Sequence, residues 1–154
     1  MRFDKFIPTG QLKHYIKYFA VSENDVETEC KVFPPPGLVI GFQYSGQLST
    51  IKSESEDKLA AAGITGISDS YKTFRNSANI GTILVFFTEI GFAHFASHPA
   101  HELFNLSVSL EDIFDKNSIR EIEEKLTGAP TDKQRIHIVE RYTGDTPENV
   151  KRFL

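Results

Sequence analysis

The sequence lacks most of the features that place a protein in a functional class by themselves. Among 154 residues there is one cysteine, Cys30, and no tryptophan. A single cysteine excludes a disulfide framework and a thiolate metal cluster within the chain, and we expect Cys30 to be a small buried side chain. Positive charge is also in deficit, because 17 Lys and Arg residues face 21 Asp and Glu residues. The net charge of −4 gives this chain no electrostatic surface for nucleic acid.

Long hydrophobic runs are missing as well. No segment approaches the roughly 18 apolar residues that a membrane-spanning helix needs. Residues 1–16 are charged and amphipathic, and they lack the continuous apolar stretch of a signal peptide. We therefore expect a cytoplasmic protein without a membrane partner.

Catalytic signatures are absent from the sequence. It contains no G-x-S-x-G nucleophile turn and no glycine-rich phosphate loop. The one concentration of possible metal ligands is His94, His98, His101 and Glu102. A zinc or iron site needs at least three such side chains about 2 Å from the ion, and Pro99 interrupts the helix that would align them. We expect no catalytic residue, no metal, no cofactor and no enzymatic activity.

What the sequence does contain is a series of short strands. The strongest is residues 80–87, an apolar and β-branched run typical of a strand buried on both faces. Shorter apolar or alternating segments separated by turns predict further strands at residues 26–32, 38–44, 47–51, 59–67, 71–74 and 103–110, with residues 53–58 as a solvated loop. Seven or so strands at this spacing indicate a sandwich or barrel.

Helices are predicted at both ends of the chain. Leu12, Ile16 and Phe19 recur at helical spacing and favour a short amphipathic helix over residues 9–19. Capping boxes begin at Ser118 and at Thr131, and each precedes an apolar stripe. A further helix is predicted over residues 146–154, where Pro147 suits the first helical position.

The run VFFTEIGFAHFASHPAHELFNLSVSLEDIF, residues 85–114, resembles the sensor-half signature of a subgroup of AraC-family transcriptional regulators. In that subgroup a strand ending in Phe is followed by a corner, an aromatic segment and an "HEL…N…LED" stretch. Residues 34–42 and 8–19 are similar to the family's strand entry and its opening. The likeness is weak between residues 46 and 81.

The resemblance implies a function and partners. The chain would be the N-terminal ligand-sensing and dimerisation domain of such a regulator, and it would form a homodimer. DNA would be bound only through paired helix-turn-helix units in a C-terminal domain absent from this chain. The predicted helix pair would carry the dimer contact, although it could equally cover an open barrel edge.

Strand pattern, helices and resemblance together predict an α+β fold. We expect a cupin-like antiparallel β-barrel or sandwich followed by a C-terminal helical hairpin. Within one domain, residues 1–22 form an N-terminal helix and strand, 23–110 the β-barrel, and 111–145 the helical hairpin. Residues 146–154 start a helix that leads to the missing DNA-binding domain. The alternative is a stand-alone small-molecule-binding or enzymatic cupin-like barrel.

Aromatic residues on the strands suggest where a ligand would bind. Six aromatic residues are candidates: Phe42, Tyr44, Tyr71, Phe74, Phe86 and Phe87. Alternate residues of a strand face opposite sides of the sheet, so only some of these six rings face the interior. As the pocket lining we predict Phe42, Tyr44, Tyr71 and Phe87, holding a small apolar or ring-bearing compound. The same side chains could instead fill the interior completely.

Overall fold

In the computed structural model, residues 1–33, 35–95 and 99–143 are described. They form ten antiparallel strands in two sheets. The strands are β1 (Arg2–Phe6), β2 (Ile16–Asn24), β3 (Thr28–Val32), β4 (Val39–Ser45), β5 (Leu48–Lys52), β6 (Ser55–Lys58), β7 (Ala62–Thr65), β8 (Lys72–Asn76), β9 (Ile80–Phe87) and β10 (Ser107–Ser109). The helices are α1 (Gly91–Phe95), α2 (Lys116–Gly128) and α3 (Asp132–Thr143), with 3-10 turns at Gly10–His14, Ala100–Leu103 and Leu110–Asp112.

The larger sheet has six strands in the order β1-β2-β9-β4-β7-β10, and the smaller has four in the order β3-β8-β5-β6. The predicted α+β class is therefore confirmed. In the described part of the chain the two sheets are not closed into a barrel, because no strand ladder joins one to the other.

Strand β9 is the centre of the larger sheet. It pairs with β2 on one side and β4 on the other. All eight of its residues are buried or half-buried, as its continuous apolar sequence predicts. This strand separates two compartments, because its alternate side chains point to opposite faces of the sheet.

The hydrophobic core lies between one face of the six-stranded sheet and the helices. On β9 the core residues are Ile83, Val85 and Phe87, and α2 contributes Ile119, Ile122 and Leu126. Burial of such side chains stabilises the fold by about 1.5–3 kcal/mol each. The core also contains Ile16, Phe19, Val21, Ile40, Phe42, Ala62, Ile64, Phe92, Phe95, Leu103, Leu110, Phe114, Ile136, Val139 and Tyr142.

Capping fixes the starts of both long helices. The Asp115 carboxylate accepts a hydrogen bond from the Ser118 backbone N–H at 3.0 Å, so the cap of α2 lies three residues before the predicted cap. The Thr131 Oγ1 accepts from the Gln134 N–H at 3.2 Å, as the second capping box predicts. The helix predicted over residues 146–154 lies outside the described residues.

The N-terminal helix predicted over residues 9–19 is wrong. Its apolar residues are buried, but Ile16 and Phe19 are buried in β2, where their partners are Phe87 and Val85. Only Gly10–His14 forms a turn of 3-10 helix. Packing against β9 outweighs the helical spacing, because a strand beside β9 buries the same side chains.

Two further boundaries differ from expectation. The strand predicted over residues 103–110 shrinks to β10, since Phe104 and Leu106 are each 47% exposed and lie in a turn that precedes it. Residues predicted as a loop contain the exposed hairpin strand β6.

Among the described residues no helix is long and apolar enough to cross a membrane.

Candidate functional site

A cavity of about 610 Å³ lies between the two sheets. One wall is the face of the six-stranded sheet that points away from the helices, and the other wall is the four-stranded sheet. Much of the lining is apolar, yet several of these side chains are only half-buried because they face the cavity. They include Val39, Leu48, Phe74, Leu84 and Phe86, with the buried Ile80 beside them.

Strand alternation decides which residues face the cavity. On β9, Thr82, Leu84 and Phe86 line it, whereas the residues between them belong to the core on the opposite face. Across the sheet, Gly41 and Gly63 are register partners and both line the cavity. A Cβ added at Gly41 would lie 3.3 Å from Cδ2 of Leu84, and one added at Gly63 would lie 3.3 Å from the Val108 carbonyl oxygen, so neither position leaves much room for a side chain.

The opposite wall comes from β3 and β8, where Cys30 pairs with Phe74. Thr28, Cys30 and Val32 contribute alternate positions of β3 to the lining. Cys30 is exposed, so the expectation that it is buried is wrong. It lies on a strand at the border of the smaller sheet, with the cavity on one side and solvent within reach.

A polar network lines one end of the cavity. The Asn24 Nδ2 donates to Thr28 Oγ1 at 3.0 Å, and Thr28 in turn donates to Asn76 Oδ1. The Asn76 Nδ2 donates to the Val26 and Ser77 carbonyl oxygens, both at 3.0 Å. These groups satisfy one another, which fits the strong preference of buried polar atoms for partners.

A lysine marks the other end. The Lys72 Nζ donates to Ser107 Oγ at 3.4 Å, which links β8 of the smaller sheet to β10 of the larger. Ser107 also shares a hydrogen bond of 3.2 Å with the Thr65 hydroxyl. Burial lowers the pKa of the Lys72 ammonium, and the neighbouring charge of Lys52 lowers it further.

The four residues predicted as the pocket lining are not brought together. Phe42 and Phe87 lie in the core on the helix side of the larger sheet, 2% and 3% exposed. Tyr71 is 51% exposed and meets Phe33 edge to face. None of the four faces the cavity described here, whereas Phe74 and Phe86, two further rings on the strands, do. On β4 and β9 the residues that line the cavity lie one position away from Phe42 and Phe87, and a shift of one residue inverts the face.

Tyr44, the fourth residue, belongs to an ionic network that joins the sheet to α3. Its hydroxyl donates to Glu23 at 2.7 Å, and the Arg135 guanidinium lies 4.1 Å above its ring. Arg2 on β1 binds both Glu23 and Asp132. Burial and the hydrogen bond to Glu23 raise the pKa of Tyr44, so it is a neutral donor here and a structural residue.

The histidine-rich segment offers no metal site in the described residues. His94 stacks on the Tyr15 ring, with centroids 3.7 Å apart, while His101 and Glu102 are exposed. His98 lies outside the described residues. Within the described ranges, no three His, Cys, Asp or Glu side chains are grouped so that they could hold an ion.

Residues 4–109 match the profile of a family described as "Domain of unknown function (DUF6597)". The chain belongs to this family. The DUF6597 region includes the lining from Ser22 on β2 to Ser109 on β10, whereas the lining residues Met1 and Phe3 precede it and α2 and α3 follow it. No curated protein matches the sequence.

Proposed function

We propose that this DUF6597 chain is the ligand-sensing domain of an AraC-like transcription regulator, and that its cupin-like β-sandwich binds a small molecule between the sheets. The observation that carries the proposal is the cavity of about 610 Å³ with a largely apolar lining. Ligand sites of proteins are typically clefts of about 300–1,000 Å³ lined by apolar side chains with a few polar groups.

The partial exposure of apolar side chains in the lining supports binding of a ligand there. Leu84 and Phe86 sit on the most buried strand of the sheet, yet each is only half-buried. Apolar area left in contact with water forgoes about 25 cal/mol per Å² of stabilisation. A bound apolar molecule recovers that free energy, and it leaves the core on the helix side unchanged.

The regulatory part of the proposal rests on the sequence resemblance in residues 85–114. A C-terminal domain would carry the DNA-reading helices, since a chain with a net charge of −4 is poorly suited to phosphate binding. Such a regulator acts in the cytoplasm as a homodimer and is not an enzyme. The apolar stripes of α2 and α3 face the sheet, so a dimer through these helices would use their polar outer faces.

Binding in the cavity is tested with Nile red, a neutral apolar dye whose emission rises in apolar surroundings. The wild-type chain is expected to bind it with a saturable signal. Leu84→Trp narrows the cavity and should weaken binding by about tenfold or more, equivalent to about 1.4 kcal/mol. The matched control Ile90→Trp adds the same ring at a position that is 71% exposed and outside the lining.

Val39→Phe is a second cavity-filling variant, in case Leu84→Trp fails to fold by circular dichroism. Unchanged affinity in a folded cavity variant, or equal loss in Ile90→Trp, would mean that the dye binds elsewhere, and the proposal would fail. The regulatory part has its own test in the coding sequence after Leu154. Two helix-turn-helix patterns there would support it, and an immediate stop codon would favour the stand-alone binding barrel.

A further inference from the structure

The charged group inside the cavity determines what kind of molecule fits it. Lys72 is half-buried, and its Nζ reaches Ser107 on the other sheet. Among the described residues no carboxylate lies within ion-pair distance of this ammonium. A charge withdrawn from water is costly unless an opposite charge or several hydrogen bonds compensate it.

Other cations of the chain are compensated differently. Arg75 lies on the same strand as Lys72 but on the outer face, where it pairs with Glu29 at 2.8 Å and Glu56 at 3.0 Å. Lys58 also lines the cavity, but it is exposed to solvent on the edge strand β6. Lys72 therefore differs from both in facing the cavity while being partly withdrawn from water.

We infer that the cavity binds a monoanionic amphiphile, with a carboxylate at Lys72 and an apolar body along Phe74 and Leu84. This inference rests on the proposed ligand-binding function and specifies its ligand class. Of the two lysines in the described lining, only Lys72 is partly withdrawn from water, and its one ammonium matches a single negative charge. A phosphate dianion would leave one charge without a partner in an apolar space.

The hydroxyls around Lys72 suit the same group. Ser107 and Thr65 share one hydrogen bond, so one of the two protons remains able to point toward a ligand oxygen. A carboxylate between Lys72 and these hydroxyls would accept charge-assisted hydrogen bonds, which are about twice as strong as neutral ones.

The distance between the two polar ends of the cavity determines the length of the ligand's apolar part. Lys72 and Asn76 occupy the two polar ends of β8, and four residues of strand span about 13 Å. Between them the lining residue on β8 is Phe74, facing the apolar residues of the larger sheet. The groups at the Asn76 end already satisfy one another, so the distal end of the ligand needs no polar group. An acyl chain of medium length or a fused aromatic acid has this shape.

Calorimetric titration of the folded chain tests the inference with matched probes. Decanoate and 2-naphthoate carry the carboxylate, decanol has the same chain without charge, and decylamine has the opposite charge. All are used below their micellar concentrations. At least one acid is expected to bind about tenfold or more tightly than decanol, and decylamine more weakly than both. Lys72→Met, which keeps the apolar stem, should reduce acid binding to the level of decanol.

Two lysine variants serve as controls. Lys52→Met removes the same charge beside Lys72 but outside the lining, and Lys31→Met removes an exposed lysine of β3 that is also outside the lining. Both should keep acid binding within about twofold. Equal binding of acids and decanol, or acid binding that survives Lys72→Met, overturns the anion assignment. Binding of neither acid overturns it too, and the Nile red titration reports separately whether the cavity binds apolar molecules at all.

Discussion

Phe86 and Phe87 are consecutive residues of β9 whose rings lie in different compartments. Phe86 faces the cavity between the sheets and stacks on Tyr18, with centroids 4.5 Å apart. Phe87 faces the helices and packs against Phe92 and Phe95. The six-stranded sheet thus separates the hydrophobic core from the cavity. Substitutions at neighbouring positions of β9 should therefore differ in their effect on stability.

The two rings should differ in their contribution to stability. Phe87→Ala removes a ring that is 3% exposed and surrounded by core, so it should lower the free energy of unfolding by about 3–5 kcal/mol. Phe86→Ala removes a half-buried ring beside an existing cavity, and its cost should be less than half of that. Urea denaturation of the two variants measures the difference. Equal losses would mean that the side of β9 facing the smaller sheet is packed as densely as the core.

The sequence predicts the orientation of an element only where polar and apolar residues alternate along it. Strand β9 is recognisable because eight residues in a row are apolar or small, but such a uniform run does not indicate which side chains face the helices. With no polar face, nothing in residues 80–87 tells which parity meets the helices. The sequence therefore predicts Phe42 and Phe87 as lining, whereas on both strands the residues that face the cavity lie one position away.

The same rule explains which other elements the sequence predicts. The sequence predicts α2 and α3 because their apolar stripes and capping residues are distinct from their polar faces. It does not predict β1, because Arg2, Asp4 and Lys5 give this segment no apolar pattern and only pairing with β2 at the sheet edge makes it a strand. Lys72 carries no signal in the sequence, since only the crossing of two sheets places it beside Ser107.

Backbone contact at Gly66 should make this position intolerant of a side chain. A Cβ there would overlap the carbonyl group of Leu103, which is backbone and cannot move aside alone. Gly66→Ala should therefore destabilise the fold by about 1–3 kcal/mol. Gly128→Ala is the matched control, because no other described residue outside its own helix and its chain neighbours lies within 4 Å of the added methyl group. At the end of a helix it should be neutral or stabilise by up to about 0.5 kcal/mol, and thermal unfolding of both variants decides the comparison.

The link from β1 to α3 predicts a pH-dependent contribution to stability. Hydrogen bonds from Arg2 lower the pKa of Glu23 from its ordinary 4.5 and that of Asp132 from its ordinary 3.8. Both carboxylates are therefore more acidic when folded, so their contribution is complete above these ordinary values and is lost as the pH falls through the lower folded pKa values. Arg2→Met should cost roughly 1 kcal/mol at neutral pH, a value kept small by the partial exposure of Arg2.

That difference between wild type and Arg2→Met should start to shrink as the pH drops below 4.5, the ordinary pKa of Glu23, and should shrink further below 3.8, the ordinary pKa of Asp132. Urea titrations at neutral and acid pH measure it. The control is Lys133→Met, which removes a positive charge next to Asp132 in the first turn of α3, where Lys133 is exposed. Its free energy of unfolding should differ little from that of the wild type at either pH. A constant difference for Arg2→Met across the range would show that the carboxylates do not act through Arg2.

The single cysteine gives an independent view of the cavity. Because Cys30 is exposed on β3 and lines the space between the sheets, its thiol should react with a disulfide reagent such as DTNB without denaturant. Saturating Nile red should slow that reaction, whereas it should not affect the fully denatured chain. A thiol that reacts only after unfolding, or one that the dye leaves unprotected, would contradict the position assigned to Cys30.

Methyl-resolved NMR with a bound ligand tests the cavity most directly. Titration with decanoate or Nile red should move the methyl signals of Val39, Leu48 and Leu84 and give nuclear Overhauser contacts from these methyls to the ligand. The methyls of Ile83 and Val85, on the same strand but facing the helices, should give no such contacts. Contacts confined to Ile83 and Val85, or to exposed side chains such as Ile90, would contradict ligand binding between the sheets.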